Sequence, residues 1–75
     1  MAKTIRPEFQ VHRLNDAGMA KAIKIAEDFS ALLIAAEETC GSGGREMALV
    51  RTHLEQAAFY AKRAMASKEE NQAEA

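Results

Sequence analysis

The run Cys40-Gly41-Ser42-Gly43-Gly44 constrains this chain more than any other stretch. It reads as a turn, and a long helical pattern lies on each side of it. Two long helices joined by a short turn fold back on one another. The expected architecture is therefore all-α, an antiparallel helical hairpin. Gly41 suits the left-handed position that ends a helix. Ser42 or Gly43 is expected to cap the next helix, with Arg45 and Glu46 in its first turn.

The first helix is predicted from Asp16 to about Thr39, with Asn15-Asp16 as the N-cap signal. Gly18 weakens its first turn. Ala22, Ala26, Phe29 and Leu33 form a central apolar stripe. Met19, Ile23 and Ile34 widen it on one side, and Ile25, Leu32 and Ala36 on the other. The apolar arc spans on the order of 200°, about twice what one neighbouring helix covers. The polar side is narrow: Lys21, Lys24, Glu27, Asp28 and Glu38.

The second helix is predicted from Arg45 to about Ser67. Its stripe, in steps of three and four, is Met47, Val50, Leu54, Ala57, Ala58, Ala61, Ala64 and Met65. Leu49, His53, Phe59 and Tyr60 lie off that stripe. Large apolar groups on a second face ask for another partner, either a copy of the chain or a flat ligand. With 75 residues, a single cysteine and much of its 48% hydrophobic content in alanine, the chain buries little core alone. Assembly as a homo-oligomer is the expected remedy.

Residues 1–14 read as an N-terminal arm, with Pro7 opening a short helix or turn that carries Phe9, Val11 and Leu14. Residues 15–67 form the hairpin. Residues 68–75 are polar and are expected to be frayed or disordered.

The lone Cys40 excludes an internal disulfide and fits a reducing compartment. No apolar run approaches the ~20 residues of a membrane span, and no N-terminal signal is evident. A cytoplasmic protein without membrane association is expected. The net charge of −1 argues against a DNA binder. The helices are also too long and apolar for a helix-turn-helix reader. His12, His53 and Cys40 fall on separate segments, and no metal-ligand spacing is present, so neither catalysis, a metal nor a cofactor is expected.

The glycine turn has two readings. It closes the hairpin, and it also offers free N–H groups at a helix start beside Arg45, which suits a phosphate. Lys21, Lys24, Arg51, Lys62 and Arg63 read as solvated face residues, Arg51 with Glu55 four positions on. Phe9 and His12 either stack on a base or on another protomer, or staple the arm to the hairpin.

Within the second helix, Arg45-Glu46 is followed by the small apolar run Ala48-Leu49-Val50. The segment Thr52-His53-Leu54-Glu55-Gln56-Ala57-Ala58-Phe59 comes next, and Arg63-Ala64-Met65-Ala66 closes the helix. This order resembles the signature helix of the phage anti-CBASS cyclic-oligonucleotide sponges, whose hairpin domain is shared with anti-Thoeris sponge proteins. The resemblance implies a homo-oligomer, typically a hexamer. It implies that cyclic dinucleotides, and in some members cyclic trinucleotides, are sequestered without being cleaved. The related anti-Thoeris proteins take cyclic ADP-ribose isomers. A small helical protein–protein interaction module is the other expectation. By placement, the resemblance puts Phe9 and Lys24 at the ligand, and Arg45 matches the Arg that opens the family's second helix; His12 and Arg51 are further ligand-binding candidates. The family aromatic in the arm is often Tyr, a role that falls here to Phe9 or His12.

Overall fold

The structure, a computed structural model, describes residues 4–74. Residues 1–3 of the polar lead and residue 75 of the tail lie outside the described part. Helix α1 spans Asp16–Cys40 and helix α2 spans Arg45–Ala66. Single 3₁₀ turns lie at Pro7–Phe9 and Glu69–Asn71. The arm thus keeps one turn of helix after Pro7 and then runs extended to Leu14.

The two helices form the expected hairpin. Ala22, Ile25, Ala26, Phe29, Leu33 and Ala36 are half-buried on α1, opposite Val50, Leu54, Ala58, Ala61 and Met65 of α2. Met47, at the turn end of α2, is buried at 5% exposure. Ala57 and Ala64, expected in the stripe, are exposed. The turn departs from expectation at the second cap, which is Gly44 rather than Ser42 or Gly43. Gly44 has φ 97°, a backbone conformation open to glycine, and its carbonyl accepts the Ala48 N–H at 3.1 Å. Gly41, with φ 81°, ends α1.

The hairpin is one layer thick. Its extents are 51 × 27 × 13 Å, the smallest close to the diameter of a single helix. Its radius of gyration is 15.9 Å, against roughly 11 Å for a compact domain of this length. The accessible surface is 6231 Å², where a compact protein of the same mass exposes roughly 4,500 Å². The wide arc of α1 is correspondingly bare: Met19, Ile23, Leu32 and Ile34 are each more than half exposed. So are Phe59 and Tyr60 on α2, whose rings meet edge to face at 5.2 Å.

The largest correction concerns the tail, which is docked rather than frayed. Residues 13–15 pair with residues 71–73 in a short antiparallel bridge. The Asn15 N–H donates to the Asn71 carbonyl at 3.0 Å, and the Ala73 N–H to the Arg13 carbonyl at 2.8 Å. Asn71 is 1% exposed, and both polar atoms of its side chain have a hydrogen-bond partner. Its Nδ2 donates to the Met65 carbonyl at 2.9 Å, and its Oδ1 accepts Lys21 Nζ at 2.6 Å. Lys21, read from the sequence as a solvated residue, is therefore a fastener. Asn15 fills the predicted cap, its Oδ1 accepting the Gly18 N–H at 2.8 Å, and its Nδ2 donates to the Glu70 and Gln72 carbonyls. Gly18 is buried because the tail passes over it.

Two substitutions test this closure. A Cβ at Gly18 would stand 2.3 Å from the Asn71 carbonyl oxygen and 3.0 Å from Leu14 Cδ2. Helix propensity alone favours alanine by ~1 kcal/mol. We expect the clash to win and Gly18→Ala to lose about 1–3 kcal/mol in denaturant unfolding; a gain in stability would show that the tail does not pack there. Asn15→Asp keeps an equally good cap but turns a donor into a carboxylate facing two carbonyls. It should cost about 2 kcal/mol, and parent-like thermal unfolding would contradict the bridge.

Candidate ligand-binding site

The docked tail decides where the arm lies, and the arm decides where a groove forms. Because residues 13–15 are held against residues 71–73, the extended stretch before them runs beside the C-terminal half of α2. Between them lies a groove of about 570 Å³, lined by Phe9, His12, Phe59, Lys62, Arg63 and Met65 among others. Phe9 is 76% exposed, so the ring does not staple the arm to the hairpin. His12 is half-buried, and its Nδ1 lies 3.2 Å from Gln72 Nε2.

Lys62 and Arg63 bring two positive charges to this groove, and neither forms an ion pair among the described residues. Glu8, the acidic residue of the lining, is paired with Arg6 at 2.8 Å. Aromatic faces beside unpaired cations suit a flat anionic ligand, through base stacking and charge-assisted hydrogen bonds. Lys62 also borders a smaller hollow of about 210 Å³ along the hairpin, with Phe29, Leu33, Arg51 and Leu54. From the sequence, Lys62 and Arg63 looked like solvated helix charges. Nothing in their spacing signals that an arm some fifty residues earlier lies against them.

The five residues marked from the sequence fall in separate places on one protomer. Phe9 and His12 share the groove. Arg51 lies on the smaller hollow, where Glu37 of α1 rather than Glu55 is its partner, at 3.3 Å. Its Nη2 also donates to the Ser42 carbonyl, so one guanidinium ties α2, α1 and the turn together. Arg45 lies at the turn, beside a hollow of about 460 Å³ formed with Cys40, Gly43, Gly44, Met47 and Val50.

Lys24 stands on the solvent side of α1 and pairs with Asp28 at 2.9 Å. The hydrogen bond that Lys24 donates to Asp28, and then the Asp28 charge, hold the Lys24 ammonium above its ordinary pKa. An anion reaching Lys24 therefore competes with a carboxylate already in place. Among the described residues no three His, Cys, Asp or Glu side chains are grouped to hold a metal. No described helix is long and apolar enough to cross a membrane.

Compared with known proteins, the chain matches the family model of the Acb2/Tad1 hairpin domain over residues 1–66. The match covers the arm and both long helices and ends where the docked tail begins. No curated protein and no solved structure matches the chain.

The Arg51 contacts predict an asymmetry at the turn. The Arg51–Glu37 pair is about one-third exposed on both sides. Glu37→Gln should cost less than ~1 kcal/mol. Arg51→Ala also frees the Ser42 carbonyl, and should cost more, about 1–2 kcal/mol. Equal losses in chemical unfolding would mean that the arginine does not fasten the turn.

Proposed function

Since the chain belongs to the Acb2/Tad1 hairpin-domain family, that of the anti-CBASS and anti-Thoeris sponges, we propose that it binds and sequesters cyclic oligonucleotide second messengers without cleaving them. On this reading it serves immune evasion by a phage in the host cytoplasm, and cyclic dinucleotides are its first ligand class, with cyclic trinucleotides second. The observation that carries the reading is the family match across arm and hairpin. The groove beside the arm supports it: Phe9 offers a face for a base, and Lys62 and Arg63 offer charge for phosphates.

Assembly is part of the proposal. A one-layer hairpin with six large apolar side chains more than half exposed on its two helices is unfinished as a monomer. A symmetric homo-oligomer, a hexamer in this proposal, covers them. Symmetry also multiplies cations, so that one Lys or Arg per chain becomes two at a two-fold axis and three at a three-fold axis. Lys24, Arg45 and Arg51, apart from the groove on one protomer, are proposed to meet ligand phosphates at such interfaces. A cyclic dinucleotide carries two phosphates and a cyclic trinucleotide three, which fits those symmetries.

Calorimetry with cyclic dinucleotides, cyclic trinucleotides and cyclic ADP-ribose isomers tests the reading. We expect submicromolar binding of at least one cyclic oligonucleotide, and its intact recovery after heat denaturation of the complex. Binding confined to cyclic ADP-ribose isomers would move the function to Thoeris signalling, and no binding at all would leave a protein-interaction module. Lys24→Ala and Arg45→Ala should each weaken one ligand class while native mass spectrometry shows the oligomer intact. Asp28→Asn should strengthen the class that Lys24→Ala weakens, because it removes the competing carboxylate. Parent-like affinities in all three variants would overturn the placement of Lys24 and Arg45.

A further inference from the structure

His12 touches the docked tail as well as the groove, and the contact fixes more than its position. Gln72 Nε2 lies 2.9 Å from the Ala66 carbonyl oxygen at the end of α2, and 3.2 Å from His12 Nδ1. A carbonyl oxygen only accepts. The Gln72 atom facing it must be the amide nitrogen, since the flipped amide would set two oxygens against each other. That nitrogen carries two hydrogens and has no acceptor capacity. One hydrogen goes to Ala66 and the other to His12, so Nδ1 is the bare, accepting nitrogen. Neutral His12 then carries its proton on Nε2.

Among the described residues Nε2 has no hydrogen-bond partner, and the ring lines the groove with Phe9, Phe59, Lys62 and Arg63. Gln72 is itself well anchored. Its N–H donates to the Glu69 carbonyl at 3.0 Å, its carbonyl accepts Asn15 Nδ2 at 3.2 Å, and its neighbour Asn71 is buried. We infer that the C-terminal tail, through Gln72, fixes His12 as a hydrogen-bond donor at Nε2, directed to an acceptor such as a phosphoryl oxygen of a ligand in the groove. Gln72 is thus a positioning residue, and it lies beyond the 1–66 span that the family hairpin covers. The identity of that ligand rests on the sponge reading; the proton's position does not.

Nitrogen-15 spectra of the ligand-free full chain decide the matter, recorded at about pH 8, where an ordinary imidazole is neutral. His12 should show an unprotonated Nδ1 and a protonated Nε2, with none of the tautomer averaging expected at the exposed His53. Gln72→Ala should restore averaging at His12, and the near-isosteric Gln72→Glu should draw the proton to Nδ1. Averaged His12 signals in the parent, or signals unmoved in both variants, would overturn the inference. In calorimetry with cyclic di-adenylate and cyclic tri-adenylate, Gln72→Ala should weaken the bound nucleotide roughly tenfold, with thermal unfolding kept within a few degrees of the parent. Parent-like affinity beside an altered tautomer would overturn the role of Nε2 toward a ligand. If no cyclic oligonucleotide of the wider panel binds the parent, the sponge reading fails while the tautomer result stands by itself.

Discussion

The fold depends on satisfying one buried amide. Asn71 is almost wholly removed from water, and a polar side chain in that position is costly unless its hydrogen bonds are made. Here Lys21 of α1 supplies a donor and Met65 of α2 an acceptor, while the Asn71 backbone receives Asn15 at the start of α1. Both helices converge on one residue. The open end of the hairpin, where two antiparallel helices would otherwise splay, is closed by directed bonds rather than by an apolar core. Specific geometry suits a chain with so little to bury, because hydrogen bonds fix register where alanines leave it loose.

The hairpin was legible because helices announce themselves locally. Apolar residues in steps of three and four marked both inner faces, Asn15 marked the start of α1, and the glycine run marked the reversal. The tail was not legible, and the reason is physical. KEENQAEA carries no periodicity, and its polar residues are those of a solvated end. What orders it is a set of partners fifty or more positions away, met only once the hairpin exists. The same reasoning applies to Gly18. Its local meaning is a weak first helical turn, and its tertiary meaning is room for a passing carbonyl.

The candidate site divides along the same line. Phe9 and His12 were marked from the sequence and do share a groove, whereas Lys62 and Arg63, passed over as surface charges, complete it. Helical spacing pairs Arg51 with Glu55, whereas in the fold it bridges to Glu37 and the turn. In each case the sequence identified the chemistry a side chain carries. The fold chose its neighbour, because helical spacing predicts contacts along one helix and is silent about contacts between segments.

The bridge between residues 13–15 and 71–73 joins stretches nearly the whole chain apart, and this has a kinetic consequence. The α1–α2 turn closes over a few residues, and helices rich in alanine form quickly; the bridge must close a loop of almost the full length, which comes slowly. Contacts of that kind form late in folding. The groove between arm and α2 is therefore built from the latest-closing part of the molecule. It completes only after synthesis has passed Gln72, so the groove waits on the tail rather than on the hairpin.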